Sequence, residues 1–147
     1  MIIKTPSFFK RDFWLALKSQ SDEYDDNGNP LNGSYQKPIP FIDVNGVNYQ
    51  PLTAESDIQR YGASSHEVVK AVIMNTDIAY DYFTPEMVGS VVYLFGASPN
   101  KKPPWDKVSG IEEPTHGYWS NYEVDAVLPM VLHTNVFFKK VKRTGAS

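Results

Sequence analysis

Cysteine is absent from this 147-residue chain. That excludes thiol nucleophiles, disulfide frameworks and cysteine-ligated zinc, and it fits manufacture in a reducing compartment. Long apolar runs are missing too: none approaches the roughly 18 residues that cross a bilayer as a helix. The opening Met1-Ile2-Ile3-Lys4-Thr5-Pro6 is too short and polar for a signal peptide, so the expectation is a soluble intracellular protein, or part of something assembled there. No charge of one sign dominates. Fourteen Lys+Arg against 17 Asp+Glu leave a net −3, which gives no electrostatic case for general nucleic-acid binding. There are three histidines, His66, His116 and His133, and no two share a helix-face spacing.

Aromatic residues are plentiful instead: nine Tyr, eight Phe and three Trp make up 14% of the chain, and rings pack well on a pleated surface. Eleven Pro and nine Gly punctuate it as turns would. One domain over 1–147 suffices, because a chain of this size buries roughly 68–70% of its unfolded surface.

Along the chain, Phe13, Leu15 and Leu17 alternate with Trp14, Ala16 and Lys18, the period of a half-buried strand, with a short helix as rival. Residues 19–36 are polar and carry Asn27-Gly28 and Asn32-Gly33, a loop or the tip of a long hairpin. Ile39 to Tyr49 predicts a hairpin turning at Asn45-Gly46 and ended by Pro51. Thr53-Ala54-Glu55-Ser56 predicts the cap of a short helical turn closed by Gly62. Strands are expected over Glu67–Met74, Ser90–Phe95, Tyr118–Leu128 and Val131–Val141, with Ser90–Phe95 central and Pro129 breaking the last two. Residues 97–117 form a long proline-rich loop, and 142–147 end the chain as a basic, frayed tail. The expected fold is all-β: a small single-domain β-barrel or sandwich with long loops and at most one short helix.

Catalytic and ligand-binding patterns fail on spacing. Ser64-Ser65-His66-Glu67 lacks a nucleophile elbow, and adjacent residues point apart. Asp22 to Gly28 invites a calcium loop, yet Gly28 at the sixth position puts Glu23 first and Ser34 twelfth. Trp105, Tyr118 and Trp119 could stack on a sugar, although aromatics in β proteins are mostly core or interface. The expectation is no catalytic residue, no cofactor and no metal.

The order of parts resembles the head-completion, or stopper, proteins of tailed bacteriophages, a class of minor capsid protein. The resemblance runs from Asp25-Asp26-Asn27-Gly28-Asn29-Pro30 through Val44-Asn45-Gly46-Val47 and Leu52 to Asp57-Ile58-Gln59-Arg60-Tyr61-Gly62. It continues with Val68–Met74, Thr84–Phe95 and Tyr122-Glu123-Val124. It implies a virion protein of the head–tail interface, assembled in the host cytoplasm. The body would be a ring of this chain, twelve or six subunits, beneath portal and adaptor, with a tail terminator or tail tube protein docking below. Packaged DNA would lie close by without specific contact, and no membrane is involved. The segment matching the plug is Pro51–His66, with Asp57, Gln59, Arg60, Tyr61 and Gly62 as candidate lumen residues; the near-balance of Asp57 and Arg60 suits a loop that must release phosphates. Residues 97–117 are long for a minimal stopper and compete for the lumen position. Trp14, Tyr24, Trp105, Tyr118 and Trp119 are the candidate interface. A ring subunit needs two unlike faces meeting head to tail, and premature ringing is avoided if the isolated protein is a monomer. The alternatives are a tail terminator or tail-completion protein and, from another class, a carbohydrate-binding or hydrolytic β domain.

Overall fold

The computed structural model describes residues 10–18, 35–106 and 117–141. Seven strands form its body: β1 (Phe13–Ala16), β2 (Ile39–Phe41), β3 (Asn48–Pro51), β4 (Val68–Met74), β5 (Val91–Tyr93), β6 (Tyr122–Pro129) and β7 (His133–Lys140). One helix, α1 (Glu55–Tyr61), and four 3-10 turns complete the described elements, the turns at Asp43–Asn45, Gly62–Glu67, Ile78–Tyr82 and Pro85–Met87. All strand pairs are antiparallel in one sheet of order β2-β1-β5-β6-β7-β4-β3, curled into a half-barrel. The all-β fold with one short helix is therefore as the sequence predicts.

Alternation decides which side chains go inside. On β4, Val69, Ala71 and Ile73 are buried in the core while Lys70, Val72 and Met74 are half-buried on the other face. β7 answers with Val136 and Phe138 inside, in a register from Val68↔Lys139 to Met74↔His133. β6 breaks the alternation: Val124 and Val127 both enter the core although three residues apart. A bulge between Val124 and Ala126 resolves this by setting Asp125 out of the ladder, which is how a bulge re-aims a side chain. Aromatic rings fill the centre, with Phe13 stacked on Phe41 at 4.7 Å and meeting Tyr49 edge-on at 6.5 Å. Each such buried ring contributes roughly 1.5–3 kcal/mol by leaving water.

Two expectations need correction. Ile39–Tyr49 is not a hairpin: β2 pairs with β1, whereas β3 pairs with β4 at the far edge of the sheet. Asn45-Gly46 lies in a corner. The positive φ belongs to Asp43 (57°), and Gly46 is extended at φ −68°, ψ 176°. What Gly46 supplies is room, because a Cβ there would stand 2.4 Å from the Arg11 carbonyl oxygen. That close approach lets Arg11 and Val47 exchange backbone bonds at 2.9 and 3.2 Å, drawing the start of β1 against the start of β3 and curling the sheet. The expected side-chain cap of α1 is also missing: Ala54 stands at the N-cap with no side-chain bond, although Gly62 does end the helix, at φ 56°.

Residues 19–34, 107–116 and 142–147 lie outside the described residues, so the loop tip, half of the proline-rich loop and the tail belong to the sequence reading alone. The stem of the first excursion does pair as a long hairpin, with Lys18 opposite Tyr35.

Candidate functional site

β3 and β4 are neighbours in register (Pro51↔Val69), and a connection of two to five residues would join them. The chain instead runs from Leu52 to Glu67 through α1 and a 3-10 turn, and no residue of either element is buried. This is the segment that holds the candidate lumen residues. It is fastened to the outer face of the sheet at three points. Tyr61 donates its hydroxyl to Asp125 Oδ2 at 2.8 Å, using the side chain that the bulge sets outward. Asp57 Oδ2 takes Lys70 Nζ at 2.9 Å. The Tyr61 ring and the Arg60 guanidinium cover Phe137, at 5.6 and 5.3 Å, which keeps this outward-facing ring 1% exposed. Burial, and then the bond to Asp125, pushes the Tyr61 hydroxyl well above its ordinary value. Gln59 is exposed and, among the described residues, bonds along its own helix, to Glu55. Of the five candidates, then, three hold the segment down, Gly62 turns the chain out of the helix, and Gln59 faces solvent.

Beneath the start of α1 lies a cleft of about 110 Å³ lined by Asn48, Gln50, Thr53, Ala54, Asp57 and Lys70 among others. That is well below the roughly 300–1,000 Å³ of small-molecule sites.

The interface candidates converge more than the sequence foretold. Trp14, Trp105, Tyr118 and Trp119 join Ala16, Val91 and Tyr93 in a second apolar cluster. Its centre is Trp119, 3% exposed, whose indole N–H donates to the buried Asp106 carboxylate at 2.6 Å. Trp119 is thus a core residue and offers no surface for a partner, while Trp14, Trp105 and Tyr118 are half-buried at the rim. Trp105 meets Tyr118 edge-on at an interplanar 69°, so the two rings do not make a flat platform for a sugar. Tyr24 lies outside the described residues.

One site gave little warning in the sequence. Phe95 sits at the end of β5 with φ 56° and is 46% exposed, an unfavourable backbone for a bulky residue on an unfavourable surface. Asn121 holds the chain there, accepting from the Leu94 N–H and donating to the Leu94 carbonyl, both at 2.8 Å. The Phe95 N–H donates to the Tyr49 hydroxyl at 3.1 Å, and the Arg11 guanidinium lies 5.8 Å from the Phe95 ring and 5.7 Å from that of Tyr49. Tyr122 packs against Phe95 at 5.9 Å. Burial raises the hydroxyls of Tyr49 and Tyr122 above their ordinary range, for Tyr49 against the opposing pull of the Phe95 bond. The only available signal was an apolar strand ending in Phe95-Gly96, a place where the chain must turn.

His66 is an exposed side chain 3.9 Å from its neighbour Glu67, and among the described residues no three side chains that could hold a metal ion come together. No helix among the described residues is long and apolar enough to cross a membrane. Compared with known protein families, curated proteins and solved structures, the chain finds no match.

Proposed function

We propose that the chain is a structural component of the head–tail connector of a tailed bacteriophage: a ring-forming stopper beneath portal and adaptor that retains packaged DNA and docks the tail. The observation that carries this reading is the excursion from Leu52 to Glu67. Two adjacent strands need no such length, and neither of its helical elements gives a buried residue to the core. Chain that costs ordering entropy and returns little burial beyond the cover of Phe137 is retained for contacts made elsewhere. Its anchoring by Tyr61, Asp57 and Arg60 holds it against the sheet in the isolated subunit, so that a lumen role requires it to swing away or to act from where it sits. The near-balance of Asp57 and Arg60 suits proximity to DNA without capture of it.

Purified protein mixed with portal-bearing, DNA-filled capsids tests the reading by negative-stain imaging. Density at the single portal vertex is expected. Bare vertices, together with retention on a glycan array, would replace the connector reading with the carbohydrate-binding one.

A further inference from the structure

Two long connections run beside the strands, and they are held in opposite ways. Residues 75–90, between β4 and β5, are fixed to the core by Ala79, Phe83 and Met87, all buried in it. Residues 52–67, between β3 and β4, include no buried residue. Among the described residues, no backbone hydrogen bond ties 53–64 to a strand. The Asp57 and Ile58 N–H groups both donate to the Ala54 carbonyl within the segment, and the Gly62 N–H donates to the Ile58 carbonyl.

Side chains alone hold α1 down. The Tyr61 hydroxyl donates to Asp125 Oδ2 at 2.8 Å, Asp57 takes Lys70 at 2.9 Å, and the Tyr61 ring and the Arg60 guanidinium cover Phe137. Only the last of these removes apolar surface from water. Polar pairs within reach of solvent add little to it, because water competes for both partners. Under the start of the helix, the cleft of about 110 Å³ leaves α1 standing off β3 and β4. On its solvent side Ile58 is 39% exposed, an apolar residue that the closed position does not use. The chain leaves the helix at Gly62, with φ 56° and ψ −127°, and no atom lies within 4 Å of where a Cβ would stand. Glycine in open space can change its dihedrals there without collision. Few buried contacts and exposed local bonds are what lets one part of a fold open while the rest stays intact.

We propose that α1 is a strap with two positions, closed over Phe137 and lifted from it, swinging as one piece about Thr53–Ala54 and Gly62. Lifting breaks the Tyr61–Asp125 and Asp57–Lys70 contacts and bares the Phe137 ring, whose exposure to water favours return. The sheet keeps its ladders in both positions, since none of them passes through the strap. The use of the lifted position, to carry α1 away from the sheet toward the lumen, rests on the connector reading; the opening itself does not.

The chain has no cysteine, so thiols introduced at two exposed positions, Ile58→Cys on the strap and Val131→Cys at the β6–β7 tip, are the only sites a spin label can take. Pulsed electron spin resonance on the full chain then reads the distance between them. The otherwise wild-type protein is expected to show one dominant distance with a minor, different one. Tyr61→Phe keeps the ring over Phe137 and removes only the bond to Asp125, so it is expected to raise the minor population about two- to tenfold. Adding Asp57→Asn is expected to raise it further, with far-ultraviolet dichroism unchanged. A single unchanged distance in all three proteins would overturn the strap. A second distance that appears only together with loss of the sheet's dichroism would overturn it as well, because the segment would then unfold with the body. Two distances with bare capsids would reject only the connector reading, whereas decorated capsids with one distance throughout would reject only the strap.

Discussion

Replacing Gly46 tests how the sheet is curled. Its backbone, at φ −68° and ψ 176°, is open to any residue, so a substitution acts by volume alone. A Cβ would meet the Arg11 carbonyl oxygen at 2.4 Å and its carbon at 2.9 Å, both backbone atoms that cannot rotate away. Gly46→Ala must therefore part Arg11 from Val47 and weaken the two backbone bonds between them. Each is worth about 0.5–1.5 kcal/mol net, and overpacking adds roughly 1–3 kcal/mol. The sum is about 2–6 kcal/mol, a fall in Tm of roughly 5–20 °C for a domain of this size. Gly46→Asn sharpens the test. In an Asn-Gly hairpin the glycine would sit at positive φ, where Asn is tolerated, and the substitution would cost little. In a corner Asn clashes at least as badly as Ala. Urea unfolding of both variants reads the difference; values within about 0.5 kcal/mol of wild type would refute the close approach of Arg11 and Val47.

Two further perturbations have worked signs. Trp119→Phe removes the 2.6 Å bond to Asp106 and leaves space in the second cluster, so a loss of about 2–4 kcal/mol is expected by denaturant titration; an unchanged midpoint would contradict that cluster. Tyr49, Tyr61 and Tyr122 all have hydroxyls raised above their ordinary 10.0, with burial as the first cause. A raised folded value means the native state holds its protons where the unfolded chain has released them. Stability from these tyrosines is thus fully present below about pH 10 and lost as pH climbs toward their folded values. Unfolding free energy measured from pH 8 to 12 is expected to fall above about 10, less steeply in Tyr61→Phe; a rise would reverse the sign.

Much of the fold is written locally. The strand β1 shows itself by alternation and β4 by its β-branched run, and Gly62 announces the end of α1. What stayed hidden depends on partners distant in the chain. Asn45-Gly46 carries the same letters whether it turns a hairpin or admits the Arg11 carbonyl, and only residue 11 decides. Val124 and Val127 are both inside, which contradicts simple alternation until Asp125 is bulged out to receive Tyr61, 64 positions away. Trp119 reads as a surface aromatic until Asp106 is brought beneath it. The plug-like segment was legible as an excursion, but its attachment through Phe137 was not, because an outward-facing Phe looks like core in a strand. The Phe95 end was least visible, since it is assembled from the starts and ends of four strands.

Deleting residues 53–64 probes the function most directly. Leu52, Ser65, His66 and Glu67 remain to join β3 to β4, enough for a hairpin, although uncovering Phe137 lowers stability. Heads completed with this variant are to be compared with heads completed with wild type for nuclease protection of packaged DNA, both without tails. The expected result is that the shortened protein still occupies the portal vertex while the DNA becomes accessible. Vertex occupancy with full protection of the DNA would contradict the role assigned to the excursion between Leu52 and Glu67.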